Sequence, residues 1–189
     1  MVKPSIEIRR ARPEDVDGIY PVMWSTQYIQ RFYGGQLLEA ARGKLIGNLF
    51  AEDVQTYVAE IDCVSGPDCI NGKRIIGYTI FAHYAKYCNK KNLPESVDFQ
   101  GRTIDLRGYA YSLGTGVHED FRGQAVGPAL RMYADGQAKQ SNYQGIVTDV
   151  DSTNIASLKT QKKAGLTKVA EIPDPKRKKG INTIWIKTF

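Results

Sequence analysis

No run of about 18 apolar residues occurs in the chain, so no segment is long enough to cross a bilayer as a helix. The opening residues, MVKPSIEIRR, pass straight into an alternating pattern without the apolar centre of a leader, and an unprocessed, soluble chain is expected. Cysteine is scarce. Cys63, Cys69 and Cys88 are odd in number and lack a C-x-x-C spacing, which argues against a disulfide framework and against a zinc site. No metal is expected, and a reducing compartment, the cytoplasm, is the simplest reading. No internal repeat or low-complexity tract interrupts the sequence. With 189 residues, 42% of them hydrophobic, the chain can build one well-buried core and is short for two, so one domain over 1–189 is expected.

Charge is the first positive feature. Lys and Arg number 26 against 20 Asp and Glu, a net charge of +6, which favours anionic ligands. A nucleotide-bearing cofactor with several phosphates fits, and so does a nucleic-acid surface. The second rests on charge alone and lacks the aromatic-basic interleaving of a strand-binding surface. The densest basic run, Lys176-Arg177-Lys178-Lys179, follows Pro173-Asp174-Pro175 and reads as a solvated hairpin loop, with recognition of an acidic partner as the alternative.

Strands and helices interleave. Ile6 to Arg10 alternates as a strand, and Arg12-Pro13-Glu14-Asp15 starts a helix that should run to about Tyr28. Leu37, Leu38, Ala41, Leu45 and Leu49 recur at helical spacing and predict a second helix. Thr56 to Val64 and Arg74 to Tyr84 are β-rich runs joined by turn residues. The polar stretch 86–107 reads as a loop insertion, either a cover for the substrate side or a disordered excursion. A strand then runs to His118, a helix from about Pro128 to Gln140, a strand from Gly145 to Val150 and a helix from Ile155 to Lys163. Thr167 to Ile172 and Asn182 to Thr188 close the chain as strands. The pattern predicts an α/β (mixed α+β) fold, one mixed sheet of about six to seven strands with helices on both faces.

The stretch YAYSLGTGVHEDFRGQAVG, Tyr109 to Gly127, is an apolar alternating segment that breaks into a basic, glycine-bearing turn and then into helix. Backbone N–H groups freed by such a turn, with those of the helix's first turn, concentrate positive partial charge where an anion can sit. Arg122 adds a full charge at the rim. The same turn also has a plain backbone reading, as a strand-to-helix connection.

A second half, TDVDSTNIASLKTQKKAGL, follows from Thr148 to Leu166. Together the two halves resemble the GNAT N-acetyltransferases. Val117 to Phe121 with the following RGQAVG is similar to the family's motif A, and Asn154, Ser157, Lys163, Gly165 and Leu166 fall where its motif B positions would fall. The resemblance implies a single GNAT-like acyltransferase domain that takes acetyl-CoA, or another acyl-CoA, as cosubstrate and acylates an amine of a small molecule or protein. The acceptor's identity is open, as is a homodimer. The alternative is a catalytically silent module of the same fold that binds CoA as a sensor or partner subunit.

The resemblance also distributes roles. Gly123, Gln124, Ala125, Val126, Gly127 and Pro128 would cradle the pyrophosphate with Arg122. Two of these depart from the pattern, since Ala125 replaces a glycine and Pro128 has no N–H to donate. Thr115, Gly116 and Val117 would lie beside the pantetheine and thioester; glycine in a strand marks a bulge or a close ligand approach, or merely weakens an edge. Asp149 is the candidate general base, with turn-shaping or helix capping by Asp149 or Asp151 as the alternative, and with Glu60 as a further candidate. Asn154 would bond backbone or cofactor amides, or simply cap its helix. Where many family members carry a tyrosine to protonate the leaving thiolate, this chain has Gln161, whose amide cannot supply that proton. Tyr111, Tyr133 and Tyr143 are nearby in sequence, with packing as their expected role. Trp24, Tyr28, Phe32 and Tyr33, with Tyr78 and Tyr84, are either core or the lining of a partly aromatic acceptor groove.

Overall fold

The computed structural model describes residues 5–26, 34, 37–66, 68–173 and 180–189. The basic run 176–179 and the aromatic positions 28, 32 and 33 lie outside them. Strands β1 (Glu7–Arg10), β2 (Val54–Asp62), β3 (Lys73–His83), β6 (Ala110–Val117), β7 (Gly145–Asp151), β8 (Thr167–Pro173) and β9 (Ile181–Thr188) form one seven-stranded sheet in the order β1-β2-β3-β6-β7-β9-β8. Strands β4 (Ser96–Phe99) and β5 (Arg102–Asp105) pair separately. Pairing of β6 with β7 is parallel, whereas β1–β2, β7–β9 and β8–β9 are antiparallel, so the sheet is mixed. The helices are α1 (Val16–Ser25), α2 (Leu38–Leu49), α3 (Tyr84–Lys91), α4 (Val126–Gln140) and α5 (Ile155–Lys163). None of the described helices is long and apolar enough to cross a membrane.

Contacts divide the chain into two compact units, Met1–Phe81 with Gly114–Ala134, and Ala82–Leu113 with Asp135–Phe189. In the first, α1 buries Val16, Ile19, Val22 and Met23, and α2 buries Ala41, Leu45 and Leu49 at the spacing the sequence predicts. Leu37 departs from that pattern, because it precedes the first helical residue and stays in solvent. Ala59, Ile61 and Ile76 from the strands pack against Val126 and Leu130 of α4. Gly77 makes this approach possible: a Cβ there would stand 2.8 Å from Leu130 Cδ1 and 3.1 Å from Val126 Cγ1.

One ion cluster ties the strands of this unit to the turn before α1. Arg9 donates to both Asp15 oxygens at 2.7 and 2.8 Å and twice to Glu60 Oε2 at 3.1 and 2.7 Å. Burial raises the Asp15 carboxyl, but the hydrogen bonds from Arg9 and the Arg12 N–H, with their charges, outweigh it and hold it below the usual aspartate value. Glu60, a sequence candidate for the base, is therefore a buried partner of Arg9.

The cysteines correct the expectation drawn from their spacing. Cys63 and Cys69 form a disulfide, with Cα atoms 6.0 Å apart. The connection between β2 and β3 folds back on itself through Cys63 N–H to Gly72 O at 2.9 Å and Cys69 N–H to Gly66 O at 3.1 Å, which brings the two thiols together without any C-x-x-C pattern. Cys88 is free and buried.

In the second unit the stretch 86–107, expected as a loop insertion, is folded. Tyr84, Cys88, Leu93, Val97 and Leu106 join Tyr109, Tyr111, Val147, Ile184 and Ile186 in one core. Asn92 ends α3 at a φ of +52°, the left-handed conformation that asparagine tolerates. Gln100 and Gly101, both at positive φ, form the two-residue turn that joins β4 to β5.

Candidate functional site

The turn expected to cradle a pyrophosphate lies wholly in the first unit. After β6, a 3-10 turn over Glu119–Phe121 leads to Arg122, and the chain then takes positive φ at Gly123 (+77°) and at Ala125 (+62°) before α4 begins at Val126. The helix starts two residues ahead of the predicted Pro128, because Ala125 completes the reversal. For a residue with a Cβ this conformation costs on the order of 1 kcal/mol, the kind of strain that loops around ligands retain. A Cβ added at Gly123 would meet nothing within 4 Å, so space over the turn is open. The first bond of α4 runs from Ala129 N–H to Ala125 O at 3.1 Å. The first-turn N–H groups ahead of it have no intrahelical acceptor, and Pro128, third in the helix, gives up a donor that the helix would not use.

Side chains pin this turn from below. Arg122 Nη2 donates to Ser25 O at 2.9 Å, at the last residue of α1, and Nε reaches Val117 O at 3.4 Å. Gln124 Nε2 folds back to Asp120 O at 3.1 Å. His118, half-buried, holds its N–H to Ile76 O at 2.9 Å and accepts from Asp120 N–H at Nδ1. Thr115 shares a 2.7 Å hydrogen bond with the buried hydroxyl of Thr79. Gly116 is buried against Tyr78: a Cβ there would stand 2.5 Å from the ring. Its glycine thus answers to packing against a tyrosine of β3.

The second unit holds a compact polar cluster. Tyr111, fully buried, donates its hydroxyl to Asp149 Oδ1. Lys91 Nζ donates to the Tyr111 oxygen at 2.8 Å and lies 4.0 Å from Asp149 Oδ1. Burial, then the charge of Asp149 and the hydrogen bond to it, hold the Tyr111 hydroxyl well above the usual tyrosine value, so it stays a donor. Tyr84 packs edge-on to Tyr111 at 5.6 Å and donates to Pro94 O at 2.7 Å; burial is the first cause of its raised value too.

The remaining candidates separate cleanly. Asp151 accepts from Thr153 N–H at 2.9 Å and from its hydroxyl at 2.8 Å, so the turn is shaped there and not by Asp149. Asn154 caps α5 by accepting from Ser157 N–H at 3.1 Å. Gln161 Oε1 is shielded from solvent and accepts from no described residue. Tyr133 packs edge-on to Tyr57, and Tyr143 to His83. Tyr78 and Tyr84 are core residues, not groove lining, whereas Trp24 is exposed beside Tyr20. Sequence reasoning missed Lys91 as a partner of Asp149; the signal was the run Tyr84, Tyr87, Cys88, Lys91 at helical spacing inside a stretch that its polarity disguised as loop.

No family model matches the chain, and no curated protein matches its sequence. Solved structures do match along the whole chain. An N-acetyltransferase from Staphylococcus aureus Mu50 is 16% identical with a TM-score of 0.67, over 97% of this chain and 98% of that one. Ribosomal-protein-alanine N-acetyltransferase from Brucella melitensis is 15% identical at a TM-score of 0.64, over 97% and 99%. NAA60 from Arabidopsis thaliana, in complex with acetyl-CoA, is 13% identical at 0.64, over 98% and 99%. The mixed seven-stranded sheet, with its strand-turn-helix passage from β6 into α4, has the fold of the GNAT N-acetyltransferases.

Proposed function

We propose that the chain is an acyl-CoA-dependent N-acyltransferase that moves an acetyl group from acetyl-CoA to a primary amine of a small molecule or protein. The observation that carries this reading is the turn 122–125, held at positive φ at Gly123 and Ala125 and opening onto the first turn of α4, in a chain with this fold throughout. A similar structure bound to acetyl-CoA supports the cosubstrate, and one bound to a bisubstrate analogue supports an acceptor. The backbone from Gly123 to Gly127 would hold the pyrophosphate; the fit is that of an open, donor-rich turn, with Pro128 contributing shape only. Thr115, Gly116 and Val117 would lie along the pantetheine, with Gly116 already committed to Tyr78.

Asp149 would take the proton of the attacking amine, which at neutral pH is mostly an ammonium ion and needs a base to expose its lone pair. As the C–N bond forms and the C–S bond breaks, the departing thiolate needs a proton that Gln161 cannot give. Water supplies it in this reading. Gln161 is also what favours the second reading, a silent module that binds CoA without turnover. The test is free-thiol release from acetyl-CoA against a panel of small amines and peptide N-termini. Amine-dependent release supports the transferase, and binding without release supports the silent module.

The proposed compartment remains the cytoplasm, on the strength of the acyl-CoA requirement. The Cys63–Cys69 disulfide counts against a reducing compartment, where the pair would be expected as free thiols. Alkylation of the two thiols before cell lysis, read by mass, supports that location, and protected thiols contradict it.

A further inference from the structure

Tyr111 is fully buried, and its hydroxyl is used in both directions within one line of side chains. Lys91 Nζ donates to the phenol oxygen at 2.8 Å, and the phenol hydrogen goes to Asp149 Oδ1. An ammonium has three donors and no acceptor, and an ionised carboxylate only accepts. The direction is therefore fixed, from Lys91 through Tyr111 to Asp149. The same ammonium stands 4.8 Å from the Tyr111 ring centroid, on its face, and 4.0 Å from Asp149 Oδ1.

We propose that Lys91 is a positioning residue for Asp149: its ammonium orients the Tyr111 phenol so that the phenol hydrogen holds one carboxylate oxygen, leaving the other for the acceptor amine. The inference rests on the reading of Asp149 as the base. Its wider consequence is a role for α3: the helix that ends in Lys91 lies in a stretch that its polarity disguises as loop, and it brings a charge to the hydroxyl of Tyr111 on β6.

The neighbours offer no substitute for Lys91. On α3, Tyr84 and Tyr87 pack on the Tyr111 ring at 5.6 and 5.9 Å, and the Tyr84 hydroxyl is already given to Pro94 O. Cys88 is buried in the same core and donates to Ala85 O. Along β6, Ser112 gives its carbonyl to the Thr148 hydroxyl, and on β9 the register partner of Asp149 is Ile184. Lys91 is the cation facing this carboxylate in the second unit's described ion pairs.

The test compares the full-length protein with Lys91→Met, Lys91→Arg and Asp149→Asn, each labelled with 13Cζ-tyrosine; the Tyr111 resonance is assigned by its absence in Tyr111→Phe. Lys91→Met and Asp149→Asn are expected to move that resonance, and Lys91→Arg to move it less. Lys91→Met should lower kcat about tenfold with the amine KM within about twofold, and arginine should restore most of the rate. A Tyr111 resonance unmoved in Lys91→Met overturns the proposal, as does an unchanged kcat in Lys91→Met protein that binds acetyl-CoA normally. If the wild-type protein acetylates no amine, the transferase reading fails separately, and the resonance comparison alone decides whether Lys91 sets the Tyr111–Asp149 contact. Should Lys91→Met not fold, Lys91→Gln, which also removes the charge, carries the same decision.

Discussion

The hydroxyl of Tyr111 on β6 donates to Asp149 Oδ1 on β7, two strands that run parallel with Tyr111 opposite Val147. Val147 and Asp149 share a face of β7, so the carboxylate sits one step along from the register partner of the phenol. If Asp149 is the base, Asp149→Asn should lower turnover by about 100-fold or more, while acetyl-CoA binding is unchanged. Tyr111→Phe keeps the ring and removes the donor, at a cost of about 1.5 kcal/mol of stability. Steady-state kinetics and urea unfolding read the two effects. Wild-type turnover in Asp149→Asn would dismiss the base.

Ala125 is held at a φ of +62° where glycine would sit without strain. Ala125→Gly is expected to raise stability by up to about 1 kcal/mol, the relieved strain partly offset by the added freedom of the unfolded chain. It should also tighten acetyl-CoA binding. A lower melting temperature in this variant would contradict the left-handed geometry.

Gly116→Ala tests a packing role against a ligand role. Its Cβ would stand 2.5 Å from the Tyr78 ring, so the variant should lose roughly 1–3 kcal/mol in urea unfolding before any ligand is added. Full stability together with weakened acetyl-CoA binding would return Gly116 to the ligand.

Acid should expose the Arg9–Asp15 pair. Because the folded carboxyl of Asp15 lies below its ordinary value, the stability it adds is present above about pH 4 and is lost as pH falls through the folded value. Arg9→Met should therefore flatten the stability profile below about pH 4. An unchanged acid limb in Arg9→Met would assign that limb to other carboxylates.

Much of the architecture was legible because local signals agreed with the fold. Asn154 followed by Ile155 to Lys163 reads as a capped helix, and the structure places the cap bond on that asparagine. The run from Gly145 likewise gives β7, with one residue more than predicted. The stretch 86–107 reads as loop because only one face of α3 is apolar and the β4–β5 strands are four residues each, too short for periodicity to speak. Disulfide pairing of Cys63 with Cys69 depends on how the β2–β3 connection closes, which no spacing rule states. The site divided in the same way. The turn at 122–125 and Asp149 stood out as residue types in order, whereas the partnership of Lys91, Tyr111 and Asp149 depends on strand register and on a helix hidden in polar sequence.

The most direct test of the central claim is calorimetric titration of the purified chain with acetyl-CoA, beside the Ala125→Gly variant and desulfo-CoA as a nucleotide-bearing control. The account predicts saturable binding at one site per chain, tighter in Ala125→Gly, with the control retaining most of the affinity through its phosphates. Absence of binding in both proteins would contradict the cradle and, with it, the acyl-CoA-dependent function proposed for this chain.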